Sequence, residues 1–168
     1  MPPLTEDDLR HLRRCIELAR EALQAGDEPF GSVLVDAKGN VRGEDRNRTA
    51  GGDQTRHPEF ELARWSSTNL TPQERQGATV YTSGEHCAMC SAAHAWVGLG
   101  RIVYVASSEQ LLAWRRDLGL THPSPVNPLP VNAVAPGVVV GGPALELEDE
   151  IRELHRRHAE TSAQDPIT

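Results

Sequence analysis

Leu9, Leu12, Ile16, Ala19 and Leu23 recur at three- and four-residue spacing, the apolar stripe of an amphipathic helix that stops before Gly26. Thr5, with Asp8 three residues on, gives this helix a near capping box at its start. The pattern then shortens: Ser32 to Val35 and Asn40 to Gly43 flank Asp36-Ala37-Lys38-Gly39, which predicts a hairpin. Helical periodicity returns after His57 with Phe60, Leu62, Ala63 and Trp65, and Pro58 suits the first helical position, where an N–H would be unpaired anyway. Ala78 to Ser83 predicts a strand, Cys87 to Val97 a buried helix rich in small residues, and Arg101 to Ala106 a further strand. Glu109 to Leu118 reads as a helix, Val138 to Val140 as a short strand and Ala144 to Ala159 as the last helix. Alternating strands and helices predict an α/β fold whose later strands run parallel, with helices covering both sheet faces. The irregular stretch is Thr121 to Gly137, whose five prolines disfavour helix; it either wraps the sheet edge or shapes the mouth of a pocket.

The length, 168 residues, predicts a single domain over 1–168 with a sizeable core. No apolar run reaches membrane length and the N-terminus lacks a basic and apolar signal region, so the expected location is cytoplasmic, with no membrane partner. Three cysteines fit a reducing compartment; Cys15, on the first helix, reads as a small semi-buried hydrophobe. A formal net charge of −7 weighs against nucleic acid, whose phosphates need clustered Lys and Arg. The most basic stretch, Arg152 to Arg157 with His155 and His158, shares its helix with Glu146, Glu148, Asp149, Glu150 and Glu153 and reads as a solvated, charge-mixed face.

Candidate chemistry centres on His57, Glu59, Cys87 and Cys90. Structural zinc is closed by four Cys or His donors, whereas catalytic zinc keeps three and a water whose pKa falls to about 7. Cys87 and Cys90, three apart, share one helix face, and a helix N-terminus favours their thiolates. Glu59, two residues beyond His57, can reach a metal-bound water without being a ligand, which is the general acid/base position. Two other readings stay open from the residues alone: a closed structural site completed by His86 or His94, and a redox Cys-x-x-Cys pair.

His57-Pro58-Glu59 and Cys87-Ala88-Met89-Cys90 resemble the signature of the zinc-dependent cytidine/deoxycytidylate deaminase superfamily. Pro29-Phe30-Gly31-Ser32-Val33-Leu34-Val35, Asn47-Arg48, Thr79 to Ser83 and Arg101 to Tyr104 fall in that family's order, and the resemblance covers roughly Leu9 to Asp117. The layout is most similar to the branch holding guanine deaminases and tRNA adenosine deaminases. The resemblance implies a three-layer α/β/α fold around a mixed five-stranded sheet, with Zn2+ on His57, Cys87 and Cys90. It also implies hydrolytic deamination: zinc-activated hydroxide adds to the ring carbon bearing an exocyclic amine, Glu59 shuttles the proton and ammonia leaves.

Expected substrate contacts are Asn47, whose amide can donate and accept at a base edge; Phe30, as a stacking ring; Asp117, as an acceptor for an amidine-like pair; and His86, beside the metal. Two positions depart from the family pattern. His86 stands where Pro is usual, and Pro58 stands where Ala is usual, removing a backbone donor beside the metal. The expected substrate is a small nucleobase or related aminated heterocycle of guanine, cytosine or aminotriazine type. A tail, Thr161 to Thr168, with no aromatic to close over a ring argues against guanine itself. The alternatives are a tRNA-specific adenosine deaminase and a non-enzymatic domain with structural zinc. Similar proteins are commonly homodimers, which makes Trp96 and Trp114 candidate interface residues.

Overall fold

A computed structural model describes residues 3–120 and 124–164, with side chains up to Ser162. Thr121, His122 and Pro123 of the proline-rich stretch, and Asp165 to Thr168 of the tail, lie outside the described residues.

Helix α1 (Glu6–Gln24) is opened by a full capping box: Asp8 N–H donates to Thr5 Oγ1 at 3.1 Å and Thr5 N–H to Asp8 Oδ2 at 3.0 Å. Strands β1 (Gly31–Val35) and β2 (Val41–Arg46) form the hairpin, its turn held by Asp36 Oδ1, which accepts from the Lys38 and Asn40 N–H groups at 2.9 Å each. A single 3₁₀ turn, Thr49–Gly51, leads to α2 (Pro58–Asn69) and α3 (Pro72–Gly77), then β3 (Thr79–Gly84), α4 (Ala88–Trp96), β4 (Arg101–Ala106) and α5 (Ser108–Asp117). The described residues continue with α6 (Val131–Val134), β5 (Val140–Gly141), a second 3₁₀ turn and α7 (Glu148–Gln164).

The five strands lie in the order β2-β1-β3-β4-β5. β1 runs antiparallel to β2 and β3, while β3, β4 and β5 are parallel, so the sheet is mixed with its later strands parallel. Side-chain alternation divides the core between two faces. Val33, Val35, Tyr81, Val103 and Val105 pack under α1, α5 and α7, with Trp114 and Ile151. Leu34, Val80, Ile102 and Tyr104 pack on the other face, against Leu62 and Ala63 of α2, Leu70, Ala93 of α4 and Val131 of α6. α1 lies so close to β1 that a Cβ at Gly31 would collide with the Leu18 side chain, which only glycine avoids.

The structure revises several expected details. β2 continues to Arg46 rather than ending at Gly43, because an edge strand tolerates the polar run Val41-Arg42-Gly43-Glu44-Asp45-Arg46. α3 is an extra helix with its own capping box from Thr71 and Glu74. The proline-rich stretch contains α6, which begins just after Pro130 because a helix's first N–H groups need no partner within it. Trp114 is buried against α7 and belongs to the core, whereas Trp96 is 90% exposed. His155 is mostly buried between Phe30 and Trp114, so α7 is not solvated all round. Cys15 is wholly buried.

Candidate metal and catalytic site

Two helix N-termini meet at the C-terminal edge of the parallel strands. His57 is the N-cap of α2, with Pro58 at its first position, and Cys87 is the N-cap of α4, with Cys90 one turn in. Both helices start on the sheet face that carries Ser32 and Thr82, which places a histidine and two sulfurs against each other. The Cys87 and Cys90 Sγ atoms are 3.5 Å apart, and each lies 3.6 Å from His57 Nδ1.

These separations suit zinc. Zn–S bonds of about 2.3 Å and Zn–N bonds of about 2.0–2.1 Å at tetrahedral angles set ligand atoms about 3.5–3.8 Å apart. His57, Cys87 and Cys90 form this cluster, and no fourth His, Cys, Asp or Glu joins it among the described residues. The closed structural site therefore finds no fourth donor: His94 gives Nε2 to the Gly100 carbonyl at 2.9 Å, and His86 is fully buried edge-on to His94, with ring centroids 5.4 Å apart. The neighbouring Cys90 thiol, together with His57, holds the Cys87 thiol down to about 4 against the effect of burial, so a thiolate is ready for metal at neutral pH. Cys87 in turn raises the His57 pKa. Zinc held here supplies a Lewis acid that makes water acidic near neutral pH.

Glu59, in the first turn of α2, is buried and points onto the sheet. Its Oε1 accepts from the Thr82 hydroxyl at 2.7 Å and from the Ser32 hydroxyl at 3.1 Å, and its Oε2 lies 3.7 Å from Cys90 Sγ. Burial raises its pKa, opposed by the Thr82 hydroxyl and by His57, which suits a group that gains and loses a proton.

Asn47 is buried at the end of β2, its N–H bonded to the Phe30 carbonyl at 2.9 Å. Its Oδ1 is committed to Thr49, accepting from the N–H at 3.0 Å and the hydroxyl at 2.8 Å, so its amide NH2 is the part left to donate. The loop it starts returns to the metal cluster through Arg48 N–H, bonded to the carbonyl of Arg56, the residue before His57, at 3.1 Å. Phe30 sits at the sheet edge over Gly84, where a Cβ would meet its ring at 2.8 Å, and packs edge-on against His155 with centroids 5.0 Å apart.

Two expected contacts are placed elsewhere. Asp117 lies on the exposed surface at the far end of α5, 3.7 Å from Arg152 of α7, because α5, whose Ser108 N–H donates to Glu85 Oε2 at 2.8 Å, carries its last residue about 14 Å from its first at 1.5 Å per residue. The His86 ring turns into the protein toward His94 and has no open face for a ligand; burial depresses its pKa well below the usual histidine range. The sequence reading missed Ser32 and Thr82 as site residues. Their signal was present: each is a hydroxyl at a strand position whose neighbours on that face, Leu34 and Val80, are core.

The sheet, the two opposed helix N-termini and the Cys2His cluster define a zinc-dependent deaminase fold. Residues 5–106 match the cytidine and deoxycytidylate deaminase zinc-binding region, and the chain belongs to that family. It is a hydrolytic deaminase acting on C–N bonds, with zinc as its cofactor. The chain is 34% identical over 146 residues to the probable cytosine deaminase of Schizosaccharomyces pombe, covering 86% of this chain and 89% of that protein. It is 34% identical over 104 residues to the tRNA-specific adenosine deaminase of Haemophilus influenzae, covering 61% and 60%. The solved guanine deaminase of Nitrosomonas europaea shares the fold with a TM-score of 0.65 at 21% identity, covering 95% of this chain and 87% of that one.

Proposed function

We propose that this chain, acting as one domain, removes the exocyclic amine of a small free heterocyclic base as ammonia, with cytosine-type substrates foremost among cytosine, guanine and aminotriazines. The observation that carries this reading is the division of labour at the site: three donors spaced for zinc, and beside them one buried carboxylate that is not needed as a ligand. Glu59 takes a proton from the attacking water and passes it to the departing nitrogen. Asn47, left with a donor amide, suits a ring oxo group such as cytosine carries near its amine. Similarity along nearly the whole length of the Schizosaccharomyces pombe relative supports the cytosine type.

The arginines next to the site are already paired, Arg48 with Asp45 at 3.1 Å and Arg56 with Glu61 at 3.8 Å, and the net charge is −7. Neither favours a polyphosphate backbone, so nucleic acid is not the proposed substrate. A tRNA adenosine deaminase is the second reading, favoured by the Haemophilus influenzae relative. The proposal includes a homodimer formed through the apolar groove of Ala92, Ala95, Trp96, Leu99, Val134 and Pro136, and a cytoplasmic setting. Three free thiols suit a reducing compartment, and no described helix is long and apolar enough to cross a membrane.

The test is ammonia release by zinc-loaded protein on cytosine, isocytosine, guanine, adenine, their nucleosides, aminotriazines and tRNA, with Glu59→Ala as the blank. Turnover of a free base that disappears in the blank supports the reading; turnover of tRNA alone replaces it with the second.

A further inference from the structure

We propose that Ser32 and Thr82 are positioning residues that clamp one oxygen of Glu59 and thereby reserve the other, Oε2, as the proton carrier. This rests on the reading of Glu59 as the acid/base group. Ser32 and Thr82 stand directly opposite each other across the antiparallel β1–β3 pair. Both are 0% exposed, and their hydroxyl oxygens are 3.0 Å apart. Glu59 Oε1 docks onto this pair from α2, at 2.7 Å from Thr82 and 3.1 Å from Ser32.

Counting protons shows why the pair works as a unit. Each hydroxyl has one proton. Thr82 can give its proton to Oε1 or to the Gly84 carbonyl at 3.0 Å, and Ser32 can give its own to Oε1 or to Thr82. If Thr82 turns to Gly84, Ser32 still reaches Oε1; if Ser32 turns to Thr82, Thr82 donates to Oε1. Either rotation alone leaves a donor on Oε1 without any movement of heavy atoms.

Oε2 has a different environment. Its one neighbour among the described hydrogen bonds is Cys90 Sγ at 3.7 Å, and a metal-bound thiolate has no proton to give. The carboxylate therefore has one oxygen held by the sheet and one facing the metal cluster, so proton transfer always uses the same atom in the same place. Misplacing a catalytic group by even about 1 Å costs about 100-fold in rate, which is why a rigid clamp matters.

The first test needs no substrate. Equilibrium unfolding of zinc-loaded protein is measured for wild type, Thr82→Val, Glu59→Met and the double variant. A hydrogen bond to a charged group is worth about tenfold or more in the unfolding constant, so Thr82→Val should shift it by that much with Glu59 present and by much less in the Glu59→Met background. An equal shift in both backgrounds overturns the clamp. The second test is turnover: Thr82→Val should lower kcat at least tenfold with KM within about threefold and zinc unchanged, Thr82→Ser should recover most of it, and Ser32→Ala should lower it less because Thr82 remains. Wild-type kcat in Thr82→Val together with Ser32→Ala overturns the proposal. Full turnover by Glu59→Ala would instead overturn the acid/base reading while leaving the unfolding cycle to judge the clamp.

Discussion

Asp27 and Arg46 meet at 2.8 Å, and between them they hold the loop that starts with Asn47. Asp27 also accepts the Ala50 N–H at 2.8 Å, and Arg46 Nη1 donates to the Asn47 carbonyl at 2.9 Å. The pair is mostly buried, so each charge depends on the other for its partner. Asp27→Ala leaves the Arg46 guanidinium and the Ala50 N–H without this acceptor. It is expected to destabilise the zinc-loaded protein by about 2–4 kcal/mol and to raise KM more than it lowers kcat, since the loop carries Asn47 and not the metal. Urea unfolding together with steady-state kinetics checks both parts; an unchanged KM would detach Asn47 from the substrate.

Glu59 and Cys87 should fail in different ways. Glu59→Ala removes a buried carboxylate but no ligand, so zinc content by elemental analysis should stay near one per chain while turnover falls by a factor of about 100–10,000 or more. Cys87→Ala leaves two donors of the three and is expected to lose zinc and, with it, stability, seen as a lowered Tm that added zinc no longer restores. Chelation of the wild-type protein should likewise remove zinc, lower Tm and abolish turnover, but there added zinc should restore both because all three donors remain. Loss of zinc in Glu59→Ala would make Glu59 a ligand rather than a proton carrier.

Much of this was written in local sequence. Thr5 and Asp8 close their box within one turn, and the His57-Pro58-Glu59 spacing holds both its cap and its carboxylate on the first turn of α2, so neither depends on distant residues. Cys87 and Cys90 lie on one helical turn for the same reason. What could not be read locally is which side chains cross between elements. Asp117 closes the stretch of family resemblance, but α5 carries it away from the edge where the metal ligands gather. His155 sits in a run of charges that reads as surface, yet Phe30, more than a hundred residues earlier, covers it. Ser32 and Thr82 become a clamp only because strand register sets them opposite each other, and register is a property of the sheet, not of either strand.

Trp96 presents a surface that a monomer rarely leaves bare. It is 90% exposed on α4, next to Ala92, Ala95, Leu99 and Val134. If this groove is the dimer contact, a charge at its centre should act as at an interface hot spot, weakening self-association by about thirtyfold or more, or about 2 kcal/mol. Sedimentation equilibrium of Trp96→Glu against wild type measures this, with Trp65→Glu on α2 as a control for an exposed tryptophan outside the groove. A wild-type monomer, or a dimer indifferent to Trp96→Glu, removes this face from consideration.

His155 gives the fold an acid sensitivity that is separate from the metal ligands. Burial, then the nearby His158 and Arg115 charges, push its pKa down to about 3, and its Nε2 has no hydrogen-bond partner among the described residues. The folded protein therefore keeps this ring neutral where the unfolded chain, with a pKa near 6.5, takes up a proton. Because the unfolded state binds more protons in this window, stability is complete above about pH 6.5 and is lost progressively as pH falls from there toward 3. The slope from one such group is at most about 1.4 kcal/mol per pH unit. His155→Gln removes the titration but leaves a side chain of similar polarity beside Phe30 and Trp114. Urea unfolding at pH 7.5, 6.5, 5.5 and 5.0, read as the difference between His155→Gln and wild type, cancels the protonation of His57 and the cysteines, which the two proteins share. The variant should gain on wild type steadily below pH 6.5; a difference that is flat with pH would mean that water reaches the ring in the folded state and that His155 titrates there as it does in the unfolded chain.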